Sequence, residues 1–293
     1  MNTHNMNEGT AGIDLHSHTT ASDGELEPAQ LVELAAKTGL SALAVTDHDT
    51  TGGLADAIEA AKSVQLQIVP GIEISAKISH GQCHLLGYFI DPHGARLNAR
   101  LNELQEARRQ RNVKLLQKLN DLGIKITFED VKYFAGRDLV ARPHFAKALV
   151  KLGVVTTAQE AFDKYLAEGA SAAVPKEVIT QQEAIDLIHE AGGVAILAHP
   201  NNLKLPPVET EEAILRMRNM GLDGIEAYYS LHTEEDRERY LDMAKKLDMV
   251  VSGGSDFHGE SVKPGIRLGG VIDGSPVPSS VLDAIYLLKD KLK

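Results

Sequence analysis

The chain has 293 residues, 43% of them hydrophobic and 24% charged, enough apolar material for a sizeable α/β core. No run of about 18 apolar residues occurs, which argues against a membrane-spanning helix. The formal net charge of −11 excludes a global basic surface for long nucleic acid, but not a local basic pocket for one phosphorylated end.

Residues 1–11 are polar, without the basic and apolar regions of a secretory signal, and are expected to form a short mobile leader. Short apolar strands are then predicted at 12–16, 42–46, 67–71, 83–90, 194–199, 223–227 and 249–254. Helical patterns are predicted at 28–38, 53–63, 181–191, 209–220, 234–247 and 279–292. Strand–helix alternation predicts a parallel sheet with helical crossovers. Seven such units, with polar residues near the strand ends, predict an α/β barrel with its site at the C-terminal face. The interval 94–180 breaks the rhythm with helices at 97–122, 128–134, 143–152 and 157–168. It is read as a helical insertion covering one mouth of a barrel formed by 12–93 and 181–293.

The candidate chemistry begins at Ile13-Asp14-Leu15-His16-Ser17-His18. Residues two apart on a strand share a side, so His16 and His18 can reach one ion. Asp23 follows in a turn-like stretch that can fold back to the same mouth. Val45-Thr46-Asp47-His48-Asp49 sets a histidine between two acids, and Gly71-Ile72-Glu73-Ile74 puts a carboxylate inside an apolar run. Charged side chains are rarely buried unless paired or bound to metal. His84 sits among apolar residues, His199 ends an apolar strand, and Asp256 and His258 form another i, i+2 pair. Each feature alone has a structural explanation; together, near predicted strand ends, they point to a metal site.

Imidazole and carboxylate without thiolate suit zinc, manganese or iron(II). The one cysteine, Cys83, excludes a thiolate cluster and an internal disulfide, and fits a reducing, cytoplasmic setting. Its position beside His84 on a strand should turn its side chain away from the ions. Nine ligands exceed the needs of one ion, so two or three are expected. Three dications against the three carboxylates would leave a positive pocket that attracts an anion, with phosphate the natural choice.

The His16–His18 pair, Thr46-Asp47-His48-Asp49, Gly71-Ile72-Glu73, Ala198-His199-Pro200 and Ser255-Asp256-Phe257-His258 resemble the motifs of the polymerase and histidinol phosphatase (PHP) family. The resemblance covers nearly the whole chain. It implies a distorted (β/α)7 barrel with a trinuclear site. One ion would take His16, His18, Glu73 and Asp256; a second would share Glu73 and add His84 and His199; a third would take Asp23, His48 and His258. It also implies a metal-bridging hydroxide as nucleophile, with no protein nucleophile.

Asp23-Gly24, the stretch from Asp49 to Leu54 and Ala141-Arg142-Pro143-His144-Phe145-Ala146 further resemble a bacterial subgroup. Its members act on 3′,5′-nucleoside bisphosphates, and relatives trim short RNAs from a 5′-phosphate end. By that resemblance Arg142 and His144 should approach a substrate phosphate, with Arg108 and Arg111 supplying further contacts. Arg108 and Arg111 read equally well as a solvated helix face, and His144 as a capping or packing residue. Lys164 and Lys176 are weaker candidates. Glu226 is expected to orient a ligand or a water, His232 to lie on a loop near the mouth, and His80, His93 and His189 to serve surface or packing.

The leading reading is a metal-dependent phosphatase of a 3′,5′-nucleoside bisphosphate, with a short 5′-phosphorylated RNA or DNA end next. Only Tyr133, Phe134, Tyr228 and Tyr229 cluster as aromatics, which disfavours extended stacking of bases. A histidinol phosphatase and a non-catalytic metal- or nucleotide-binding module are the alternatives.

Overall fold

In the computed structural model, residues 12–135, 140–271 and 275–292 are described; the expected leader at 1–11 lies outside them. The barrel strands are β1 (Ile13–Asp14), β2 (Ala42–Val45), β3 (Gln67–Ala76), β4 (Cys83–Tyr88), β5 (Val194–Leu197), β6 (Gly224–Tyr229) and β7 (Val250–Gly254). Around them pack α1 (Pro28–Lys37), α2 (Leu54–Ala61), α7 (Gln181–Glu190), α8 (Pro207–Asn219), α9 (Glu234–Lys246) and α10 (Ser279–Lys291). Between β4 and α7 come α3 (Ala95–Asp121), α4 (Phe128–Lys132), α5 (Arg142–Lys151) and α6 (Ala158–Ala161).

The strands lie in sequence order, β1 to β7, in one seven-stranded sheet. The two edges meet: Leu15 N–H donates to Gly253 O at 3.1 Å, and Asp256 N–H to His16 O at 2.8 Å. This nearly closed barrel leaves little free edge. Close approach at the seam requires glycine at 254, because a Cβ there would fall 2.3 Å from the His16 nitrogen.

Alternation sorts the side chains onto two sides. Leu43, Val45, Ile72, Ile74, Leu85 and Leu197 join the core beneath the outer helices. Ala42, Ala44, Val69, Leu86, Val194 and Ile196 join a second core with Val281 and Ile285 of α10. Glu73, between Ile72 and Ile74, is thereby turned to the side opposite the outer helices.

The expected all-parallel sheet needs correction. β4 runs antiparallel to both β3 and β5. Only residues 77–82 join β3 to β4, too few for the crossover that a parallel pair needs. The reversal has a consequence for the site. His84 lies at the start of its strand rather than the end, yet β4's inverted direction brings that start to the same mouth as the other strands' C-terminal ends.

Helix α3 ties the inserted helices to the barrel. Its Leu97, Leu101 and Leu104 enter the core beneath the outer helices. A separate core takes Leu115 and Leu119 with Phe145, Leu149 and Leu166. Between these two apolar stretches α3 buries Arg108, Arg111 and Asn112. The helix expected at 157–168 is shorter: α6 ends at Ala161 and a π-helical turn, Phe162–Leu166, follows.

Candidate metal centre

The nine residues picked from the sequence converge at one mouth of the barrel. His16 and His18 follow β1, His48 follows β2, Glu73 lies in β3 and His84 in β4. His199 follows β5, Asp256 and His258 follow β7, and Asp23 lies in the loop before α1. Glu73 is the hub. Its Oε2 faces His16 Nε2 at 3.3 Å, His18 Nε2 at 3.1 Å and His48 Nδ1 at 3.0 Å. Its Oε1 faces His84 Nδ1 at 2.9 Å and His199 Nε2 at 3.0 Å. Asp256 Oδ1 lies 3.5 Å from His16, 3.3 Å from His18 and 3.3 Å from His258. Asp23 Oδ1 reaches His258 Nε2 at 3.4 Å.

Four overlapping groups have ligand atoms within 4.8 Å of one another: His18, Asp23, His48 and His258; His16, His199 and Asp256; His16, His18 and Glu73; and His48, Glu73 and His84. The donor set fits divalent ions on a further observation. His16 Nε2, both ring nitrogens of His18, Asp23 Oδ1, His48 Nδ1, Glu73 Oε2 and His84 Nδ1 are buried without any hydrogen bond. Buried polar atoms rarely stay unpartnered, and these are all metal-ligating atoms aimed at common points.

Charge follows the same pattern. Burial would raise the carboxyls of Asp23, Glu73 and Asp256, but the facing imidazoles, and Lys263 for Asp256, hold all three well below the usual range. Two of the candidate ligands sit in left-handed backbone, His199 at φ 26° and Asp256 at φ 56°. Such strain in non-glycine residues persists where the surroundings over-determine it.

Buried acids outside the nine hold the loops that carry them. Asp14 accepts from His16 N–H at 3.1 Å, Ser255 N–H at 3.0 Å and Gly269 N–H at 2.8 Å. Asp47 accepts from Thr19 N–H at 2.8 Å and Ser22 Oγ–H at 2.6 Å, shaping the loop that bears Asp23. Sequence reasoning left these roles out, although an acid within two residues of a candidate ligand was visible in both segments. Lys263, bonded to Asp256 Oδ2, carried no sequence signal.

The inserted helices supply a wall of positive charge. Arg108 is buried and paired with Asp49 at 2.5 Å, so the solvated-face reading of this residue does not hold. Lys176 reaches the same Asp49 oxygen at 3.0 Å and is nearer the site than expected. Arg111 is also buried; burial first, then Arg108 and Arg142, push its guanidinium down to about 10. Arg142 is half-buried at the start of α5, its Nη1 3.5 Å from Leu166 O. His144 is buried and pushed down to about 4 by burial, hence neutral at pH 7. Its Nδ1 accepts from Ala141 N–H at 3.0 Å, which leaves the proton on Nε2. Lys164 pairs with Glu160 on the surface.

Glu226 is fully buried and bonds His16 and the His199 backbone, in keeping with an orienting role. His232 lies in the loop after β6, as expected, and is buried there, its Nδ1 facing Ala227 O at 3.0 Å and its ring against Tyr229 and Tyr240. Neighbouring aromatics, rather than solvent, cover it. Cys83 lies in the outer core as its alternation with His84 requires, and burial pushes its thiol up to about 12.

A barrel with histidines and carboxylates converging at one mouth, and a basic wall above, has the build of a metal-dependent hydrolase of phosphoesters. Comparison with known proteins agrees. A PHP domain is matched over residues 14–132. The 5′-3′ exoribonuclease of Haemophilus influenzae is 36% identical over 85% of this chain and 90% of its own length. The 3′,5′-nucleoside bisphosphate phosphatase of Chromobacterium violaceum is 34% identical over 85% of this chain and 87% of its own. A solved Bifidobacterium adolescentis structure, with the working name of metal-dependent phosphoesterase, is 32% identical and superposes with a TM-score of 0.83 over 95% of this chain and 96% of its own. The chain belongs to the PHP family, and it is a phosphoesterase of the hydrolase class. Among the described residues no helix is long and apolar enough to cross a membrane.

Proposed function

We propose that this chain removes a phosphate from a small phosphorylated nucleotide, most specifically a 3′,5′-nucleoside bisphosphate, leaving the 5′-monophosphate. The carrying observation is the unbalanced charge beside the metal centre. Arg111 faces Arg108 and Arg142, and Lys176 faces Arg108 and Arg111; among the described residues Asp49, paired with Arg108 and Lys176, and Glu168, beside Arg142, offset the four cations only in part. A phosphate dianion supplies the charge this cluster lacks, and arginine forks match its oxygens.

In this reading His16, His18, Glu73 and Asp256 hold one ion, with His84 and His199 joining Glu73 at a second and Asp23, His48 and His258 at a third. Manganese, iron(II) and zinc suit the donors. Divalent ions bound there supply activated water and charge against the phosphoryl oxygens. The chain's own groups do the rest. Arg142 and Arg111 grip the phosphate that is not cleaved, Arg108 and Lys176 hold the wall through Asp49, and His144 offers its Nε2–H to a phosphate oxygen.

The similarity to an exoribonuclease favours a second substrate of the same chemistry, a short oligonucleotide with a 5′-phosphate. A phosphate-release screen with manganese separates the readings. Adenosine 3′,5′-bisphosphate is expected to turn over fastest, and a 5′-phosphorylated tetranucleotide to release mononucleotides more slowly. Turnover of histidinol phosphate alone would replace the nucleotide reading, and manganese binding without turnover of any ester would leave a binding module.

A further inference from the structure

Six of the seven strands supply at least one of the nine candidate ligands, on the strand or just beyond it; β6 supplies none. It nevertheless places two buried polar side chains against three of them. Glu226, with no exposed surface, spends both oxygens: Oε1 lies 2.9 Å from His16 Nδ1, and Oε2 accepts the His199 backbone N–H at 2.7 Å. Tyr229 donates its hydroxyl to Asp256 Oδ2 at 3.0 Å. Residues three apart on a regular strand face opposite ways. Here the register slips: Glu226 pairs with Ser252 but Tyr228 pairs with Gly253, so Ala227 is an extra residue. That bulge lets Glu226 and Tyr229 serve the same side.

We infer that β6 is the positioning strand of the metal centre, with Glu226 setting the ring proton of His16 and the backbone of His199, and Tyr229 setting the carboxylate of Asp256. The inference rests on the metal-centre reading above. A carboxylate only accepts, so His16 must carry its proton on Nδ1, which leaves the Nε2 lone pair free to ligate. The same carboxylate fastens the N–H of His199, whose φ of 26° needs an external hold. Tyr229 shares Asp256 Oδ2 with Lys263, and the two together leave Oδ1 for an ion.

Glutamine at 226 cannot replace this arrangement. Two N–H donors face the side chain, and an amide offers one oxygen and one NH₂. With the oxygen on His199 N–H, the NH₂ meets His16 Nδ1, which must become an acceptor and move its proton to Nε2. With the amide reversed, the His199 N–H loses its acceptor. Either way one ligand is damaged while volume and burial are kept.

The test is manganese titration of the chelator-stripped protein by calorimetry, with circular dichroism to confirm folding. Glu226→Gln is expected to fold and to bind manganese about 10- to 100-fold more weakly, or to lose an ion per chain. Tyr229→Phe is expected to lose a few-fold in affinity. A folded Glu226→Gln with wild-type manganese binding, even at a lower melting temperature, would overturn the inference and leave Glu226 a structural residue. Wild type itself supplies an independent check, needed if Glu226→Gln does not fold. Nitrogen-15 spectra of the zinc-loaded enzyme, with His16 assigned by its loss in His16→Gln, are expected to show the ring proton on Nδ1; a ring proton on Nε2 overturns the proposal. Wild type that binds no manganese would instead overturn the metal-centre reading, a distinct result.

Discussion

The floor and the wall of the site are built on different principles. The floor, around His16, His18 and Glu73, is fully buried and made by strand ends. His16 and His18 face Glu73 at 3.3 and 3.1 Å, and the acids Asp14, Asp47 and Glu226 lock the surrounding loops. The wall comes from long side chains on α3 and α5 and from Lys176 in the segment before α7, and Asp49 is the barrel carboxylate that pairs with both Arg108 and Lys176. The mouth side is also more open: the side chains of His48, His84 and Asp23 keep 17%, 15% and 14% exposure, whereas His16, His18 and Glu73 keep none. A rigid floor suits reaction geometry, which tolerates little displacement. A wall of cations only partly paired suits an anion that enters and leaves.

Breaking the floor should give the largest effect. Glu73 faces five histidines, so Glu73→Gln removes the charge that the donor set shares. Metal content should fall by at least one ion per chain. Phosphate release should drop at least about 10³-fold, equivalent to about 4 kcal/mol of lost charge stabilisation. Metal analysis and initial rates check both; retention of full metal content would show that Glu73 is no hub.

Breaking the join between floor and wall comes next. Asn at 49 tolerates the left-handed backbone that Asp49 adopts at φ 53°, so Asp49→Asn tests charge rather than strain. It leaves the buried Arg108 without its counter-charge, a loss of about 3 kcal/mol. The melting temperature should fall by roughly 8 °C while the stripped protein's manganese binding changes little. An unchanged melting temperature would mean that the wall is held by the apolar contacts of α3 instead.

The two regions also differed in how far they could be read from sequence. The floor was legible because its chemistry breaks local rules: Glu73 inside an apolar run, or His199 ending one, has no ordinary reason to be there. Period-two alternation then sent His16 and His18 one way and Cys83 the other. Features set by distant pairing were not legible. The reversal of β4 follows from a short 77–82 connection whose meaning depends on strand boundaries. The slip at Ala227 that turns Glu226 and Tyr229 to one side exists only against β7. On the wall, Arg108 looked like half of a charged helix face, because its partner Asp49 lies 59 residues away.

The wall itself should respond more gently. Among the described residues, the hydrogen bond of Arg142 is a long one to Leu166 O, and Glu168 is the acid beside it, so losing Arg142 costs the fold little. Arg142→Ala is expected to keep metal content and melting temperature. A charged hydrogen bond to phosphate is worth about 1.5–3 kcal/mol, so kcat/KM should fall about 10- to 150-fold, carried by KM. Kinetics equal to wild type would remove the phosphate from this end of α5.

The smallest effect lies at the barrel's other end and gauges how separate the site is from the fold. His189 on α7 faces Asp223 Oδ2 at 2.7 Å, and the same oxygen accepts Ala195 N–H at the base of β5. The hydrogen bond to Asp223 raises the His189 pKa above its ordinary 6.5. A raised folded-state value means that protonation favours folding: the contribution is complete below about pH 6.5 and fades as pH rises through the folded-state value. A third of the side chain is exposed, so solvent screening limits the contribution to roughly 0.3 kcal/mol, about 1 °C. The informative quantity is the wild-type melting temperature minus that of His189→Gln, measured on the stripped proteins. That difference should shrink by about 1 °C between pH 6 and pH 8, with manganese binding equal in the two proteins at each pH. A change in manganese binding would show that the strand bases and the metal floor are coupled through β5, and that the floor's rigidity extends the length of the barrel.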